Sequence, residues 1–334
     1  MATSIWFYVV FNAFVLTMLA LDLGVFHRKA HVIRPKEAAL WTAAWVSLAL
    51  LFCAGLAYFV DTQTAILFLT GYLVEQSLSV DNIFVIVLIF SYFAIPAQYQ
   101  HRVLFWGIIG ALLMRGTFIG VGALLIAKFH WVIYVFGGIL IVTGIRMAMR
   151  QDEEFDADQN VVMRLARRVL PFTERYDGQK FFTLENGKRV ATPLFLVLVL
   201  VEFTDLIFAV DSIPAIFGIT TDPFLVYTSN VFAILGLRSL YFLLSGVVEK
   251  FHLLKYGLAV ILTFVGVKMV IVDFYKIPTV ASLLVILTVL TASVGLSLLF
   301  PQAATLEPHE VKGRTGSLFG SLPSGRSAKR TGAP

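Results

Sequence analysis

Five acidic residues stand where an apolar environment ought to forbid them. Glu75 and Asp81 lie in one long apolar run, and Glu202, Asp205 and Asp211 lie in another, with Ser77, Ser79, Asn82, Thr204 and Ser212 beside them. An ionised carboxylate at the centre of a bilayer costs at least about 2.5 kcal/mol. Several together need compensation by arginine, by protonation or by a bound cation. The arginines inside comparable runs, Arg115 and Arg238, are two against five acids. Carboxylate, amide and hydroxyl oxygens are hard donors, suited to Mn2+, Mg2+ or Ca2+ and poorly suited to Cu+ or Zn2+. The candidate chemistry is therefore passage of a divalent cation past Glu75, Asp81, Asn82, Glu202, Asp205, Asp211 and Ser212. Arg115 and Arg238 are the expected supporting ion pairs, and Asp22 is a further candidate on the pathway.

Such residues have to be carried by membrane-spanning helices. The chain has 334 residues, 58% hydrophobic and 14% charged, with a mean hydropathy of +0.85, whereas a soluble domain carries about 25% charged residues. The apolar residues form runs of about 18 to 30, the length a bilayer demands of a helix. The runs predict nine spans, near 5–26, 39–60, 64–94, 103–127, 131–149, 193–218, 224–248, 251–272 and 278–300. No basic residue precedes the first span and no small-residue cleavage site ends it, which reads as a retained helix rather than a signal peptide. Alternate loops differ in basic residues as the positive-inside rule requires, Lys128 and Lys276 being the only ones on the outer side. The expected topology is N-terminus out and C-terminus in, multi-pass in the cell membrane. The pI near 9.3 follows these inner loops, so no nucleic-acid partner is expected.

An internal repeat organises the spans. Phe129-His130-x3-Tyr134-x9-Gly144-x-Arg146-Met147 recurs 122 residues later as Phe251-His252-x3-Tyr256-x9-Gly266-x-Lys268-Met269. Glu75-x5-Asp81-Asn82 recurs as Asp205-x5-Asp211-Ser212, and Arg115 is answered by Arg238. Spans three to five thus match spans six to eight, and an odd number of helices per unit makes the repeat inverted, an arrangement common in secondary transporters. On one helix, a six-residue spacing turns Glu75 and Asp81 about 120° apart and separates them by about 9 Å. Antiparallel pairing of the two units would instead set Glu75 level with Asp211 and Asp81 level with Asp205. Pro214 would free backbone carbonyls near residue 210 as further oxygen ligands.

The expected organisation is two N-terminal helices (1–63), the first three-helix unit (64–149), a cytoplasmic loop (150–192), the second unit (193–272), a ninth helix (273–300) and a disordered cytoplasmic tail (301–334). Asn186-Gly187 between β-prone residues predicts a hairpin, and Thr192-Pro193 predicts a helix start with Thr192 as cap. The acidic run Asp152, Glu153, Glu154, Asp156, Asp158 reads as a solvated stretch. His130 and His252 read as interfacial or capping residues, while His27, His31, His101 and His309 fall in expected loops or tail. Cys53 is alone, so no disulfide or thiolate site forms within one chain.

Two other readings use the same acids. They could be ion pairs that only fix helix packing, as in a membrane scaffold. They could also be the dyad of an intramembrane aspartyl protease, although Ser79-Val80-Asp81 and Ala209-Val210-Asp211 lack the Gly-x-Gly-Asp signature of such enzymes, and no enzymatic activity is expected. The stretches Glu75 to Asn82, Glu202 to Pro214 (Glu-Phe-Thr-Asp-Leu-Ile-Phe-Ala-Val-Asp-Ser-Ile-Pro) and Ser229 to Arg238 closely resemble the TerC/Alx family of integral membrane proteins. The resemblance covers about residues 1 to 300. It implies manganese efflux from the cytoplasm, with tellurium resistance associated with some members, and it places Glu75, Asp81, Asn82, Glu202, Asp205, Asp211 and Ser212 on the metal pathway. Mn2+ is then the transported ion rather than a resident cofactor, protons are the candidate coupling ion, and the oligomeric state stays open.

Overall fold

An apolar run in lipid has no water for its backbone, so its N–H and C=O groups must pair within the segment, and helix is the form that does this. The computed structural model describes residues 5–21, 33–149, 171–173, 175–185, 187–245, 251 and 253–300. Among them are nine helices: α1 (Ile5–Leu21), α2 (Pro35–Phe59), α3 (Thr62–Tyr92), α4 (Ala97–Lys128), α5 (Val132–Met149), α6 (Pro193–Phe217), α7 (Pro223–Leu244), α8 (Leu254–Val270) and α9 (Thr279–Leu299). Seven are long and apolar enough to cross a membrane, while α1 and α8 have 17 residues each. The protein is an all-α polytopic membrane protein. The described residues all belong to one compact unit. Asp22, the acidic run 152–158, Asn186, His252 and the expected tail lie outside the described residues.

The exterior is apolar, as expected where lipid is the solvent. Leu51, Leu113, Leu124, Val142, Leu284 and Leu298 are all exposed on the helix faces. At the other extreme, 94% of the central stretch of α7 is buried. It lies against α2, α3 and α4, and α3 and α4 both pack on α6. Tyr227 donates a hydrogen bond to Asn12 Oδ1 at 2.6 Å, fixing α1 to α7.

The closest pairing is between α5 and α8. A Cβ on Gly137 would stand 2.8 Å from the Gly266 carbonyl, one on Gly266 2.7 Å from the Gly137 carbonyl, and one on Gly144 2.7 Å from the Ala259 carbonyl. As position rises along α5 it falls along α8, so the two helices run antiparallel. The offset of 122 turns 137 into 259 and 144 into 266, so it exchanges the contact 137–266 with the contact 144–259.

Strands β1 (Phe182–Glu185) and β2 (Lys188–Ala191) form an antiparallel hairpin in the register Phe182↔Ala191 and Glu185↔Lys188. Gly187 takes φ +74°, a region that glycine enters without strain. The hairpin region is tied to the corner between α3 and α4. Tyr176 donates to the Phe93 carbonyl at 2.7 Å, and the Arg102 guanidinium lies 5.0 Å from the Phe181 ring centre. Two expectations change here. Thr192 has the backbone of an N-cap, but its hydroxyl donates to the Lys180 carbonyl at 2.7 Å and makes no cap bond, because the hairpin offers a carbonyl. The start of α4 lies at Ala97, directly after Pro96, six residues before the apolar run begins. His101 is therefore a buried helical residue and not a loop residue. The polar turn Gln98 to Arg102 hides the helix from hydropathy, and tertiary partners such as Tyr241, which donates to Gln100 Oε1, keep it ordered.

Opposite the hairpin face, His130 and Tyr134 at the start of α5 meet Asp273 beyond the end of α8. His130 Nε2 lies 2.9 Å from Asp273 Oδ2, which also accepts from the Tyr134 hydroxyl. The two hydrogen bonds, from Tyr134 first and then His130, hold the Asp273 carboxyl below the usual carboxylate range.

Candidate functional site

The expected site residues come from four helices, and Arg115 of α4 joins three of them. Its position near the middle of a long helix lets the side chain reach both α3 and α6. The guanidinium donates to Glu75 Oε1 of α3, to Asp205 Oδ1 at 2.7 Å and Oδ2 at 3.2 Å on α6, and to Ser212 Oγ at 3.3 Å. Asp205 and Ser212 are seven residues apart, two helical turns, and so share one face of α6. Arg115 is 2% exposed and Glu75 is fully buried. A planar guanidinium with five donors suits this clamp, because it can engage two carboxylates at once. One positive charge here faces two negative ones, and Glu75 Oε2 is buried without a hydrogen-bond partner.

The pairing differs from that expected by levelling the repeats. Glu75 shares its arginine with Asp205 and Ser212, while Asp211, about 100° around the helix from Ser212, accepts from Thr143 Oγ1 of α5 at 2.8 Å. Asp81 lies within reach of the Lys255 charge at the start of α8. The acids are thus spread along the helices and do not converge on one point. Among the described residues, no three His, Cys, Asp or Glu side chains form a group that could hold a metal ion.

Beside the clamp is a small cavity of about 20 Å³, lined by Asn82, Glu202, Thr204, Asp205 and Arg238 with apolar walls from Ile86, Leu104, Ile108 and Phe208. A space of this size admits a water molecule or a bare cation. Asn82 is 4% exposed, and its Oδ1 is buried without a partner. Leu104, Gly107, Ile108 and Ala111 all precede Arg115 on α4, and α6 begins next to β2, so the cavity lies on the hairpin side of the clamp. Asp211 lies beyond it, toward the opposite face. Pro214 sits inside α6 without ending it and removes the donor that would otherwise meet the Val210 carbonyl.

Thr143, Lys255 and Gln76, whose Oε1 is buried without a partner, were not marked by sequence reasoning. Gln76, next to Glu75 in an apolar run, carried a signal of the same kind as the acids. Thr143 carried none, since a threonine in a membrane helix usually bonds its own preceding turn.

A family model described as "Integral membrane protein TerC family" matches residues 60–305. The chain is 58% identical over 289 residues to an uncharacterized membrane protein of Myxococcus xanthus, covering 86% of this chain and 91% of that one. It is 51% identical to Alx of Escherichia coli K12, a protein named as a membrane-bound redox modulator, covering 84% and 90%. It is 42% identical to a further uncharacterized membrane protein of Rickettsia bellii, covering 87% and 97%. No solved structure matches the chain.

Proposed function

Because the chain belongs to the TerC family of integral membrane proteins, we propose that it transports a divalent metal cation, exporting Mn2+ from the cytoplasm across the cell membrane in exchange for protons. The observation that carries this reading is the cavity where Glu202, Asp205, Asn82 and Thr204 present hard oxygens beside an arginine-clamped pair of carboxylates. Two carboxylates, an amide and a hydroxyl are hard oxygen donors that can replace the water shell of a divalent ion, as a cavity sized for a bare cation requires. The clamp separates this cavity from Asp211, so an ion passing from one to the other has to displace Arg115 from Glu75 and Asp205. Protonation of the same carboxylates would weaken their hold on the metal, which is the basis for proton exchange. The inverted repeat belongs to this proposal, and the exchanged contacts 137–266 and 144–259 support it.

A scaffold of structural ion pairs accounts for Glu75 and Asp205 but leaves Glu202 at a cavity and Asp211 bonded to a threonine rather than to a cation among the described residues. For a protease, Asp81 and Asp211 would have to share a proton, yet Asp211 is held by Thr143 of α5. Redox activity through a thiol pair within one chain is not available with Cys53 alone.

The decisive measurement is ion flux in vesicles reconstituted with the full chain, comparing Mn2+, Mg2+, Ca2+ and Zn2+ across a pH gradient. Mn2+ flux that dissipates the gradient is the expected result. Glu202→Gln in the cavity and Asp211→Asn beyond the clamp should each abolish it while the protein still inserts, and wild-type flux in both variants would reject the site.

A further inference from the structure

Glycine is a poorer helix former than alanine, so one in the middle of a long helix points to a requirement for space. Gly110, near the middle of α4, has such a requirement. A methyl group built on it would overlap both oxygens and the carboxyl carbon of Glu202. The Glu202 carboxylate is therefore seated against the bare backbone of α4, within the Gly107 to Ala111 stretch that walls the cavity it lines. By contrast, Gly120 on the same helix has no atom within 4 Å of a built Cβ. The crowding atoms at Gly110 are the free end of a flexible side chain, so a substitution there moves the carboxylate rather than the helices.

We propose that Gly110 is a positioning residue for the cation cavity: its missing side chain is the notch that sets where the Glu202 carboxylate stands relative to Asn82 and Asp205. The proposal rests on the transport reading and adds what determines its geometry. Displacing a metal-binding oxygen through its neighbour typically weakens metal affinity by about ten- to a hundredfold.

The test is a double-mutant cycle in reconstituted vesicles, using Mn2+ as the probe. Gly110→Ala should raise the Mn2+ concentration for half-maximal flux about tenfold, with the flux at saturating Mn2+ within about twofold of wild type. In a Glu202→Asp background, where the shorter side chain withdraws from the notch, the same substitution should change it by less than about twofold. An equal effect in both backgrounds, or none in wild type, overturns the proposal. Thermal unfolding of the four proteins in metal-free detergent reads the notch without transport, and it decides the matter if Glu202→Asp is too slow to time. There, a Gly110→Ala shift that differs between the two backgrounds supports the notch, and identical shifts sink it. A wild-type protein that moves no divalent cation would refute the transport reading alone.

Discussion

At the scale of single residues, Arg115 is the position where electrostatics and packing coincide. Its guanidinium is buried between Glu75 and Asp205, and removing one partner of such a set leaves an uncompensated buried charge, which typically costs about 3–5 kcal/mol. Arg115→Gln should therefore lower unfolding stability by about 3 kcal/mol, as measured by reversible denaturation in detergent. Arg115→Lys should recover only part of that loss, since an ammonium cannot engage both carboxylates with the same fork. Asp273 makes a prediction of the opposite character. Its folded carboxyl is held below its ordinary value by Tyr134 and His130, so the contact contributes fully above the ordinary carboxylate pKa and is lost as pH falls through the lowered one. Hydrogen exchange at the start of α5 should rise on acidification below about pH 4, and Asp273→Asn should remove that dependence.

At the scale of elements, the α5–α8 pair shows why small residues recur at matched positions. Helices in lipid gain little from hydrophobic burial against each other, and close backbone approach supplies the packing energy instead. Gly144 and Gly266 each face a carbonyl of the opposing helix at a distance that no side chain tolerates. Gly144→Val and Gly266→Val should each destabilise the protein by about 1–3 kcal/mol. Two similar losses of unfolding temperature would fit the exchanged contacts, and a neutral result at either position would break the equivalence. The hairpin is a second element whose role comes from its partners. Tyr176 on the Phe93 carbonyl and Arg102 over Phe181 join this segment to the end of α3, which carries Asp81 and Asn82, and to the start of α4.

At the scale of the whole molecule, the contacts sort the loops onto two faces. Phe93, Arg102 and the hairpin share one, and His130 and Asp273 share the other. In the proposed topology, with the basic loops inside, the hairpin face is the cytoplasmic one. Replacing Cys53 by serine leaves no other thiol, so single cysteines can then report sidedness. A membrane-impermeant thiol reagent added outside intact cells should label Lys276→Cys and spare Lys188→Cys, and the reverse pattern would invert the proposed direction of transport.

Length and periodicity of the apolar runs were sufficient to determine an all-α polytopic protein, because a bilayer accepts only segments that satisfy their own backbone. The misplaced carboxylates are legible in the same way, since each is costly enough to demand a reason. The start of α4 is not legible in hydropathy, because its first turns are polar and are held by the hairpin and α7 rather than by lipid. What only the tertiary structure decided is which oxygens meet. Arg115 joins partners 40 and 90 residues away, and Gly110 gives way to a carboxylate on another helix. Such contacts depend on the rotation and register of one helix against the next. Local sequence leaves both undetermined, and the packing of the whole bundle sets them.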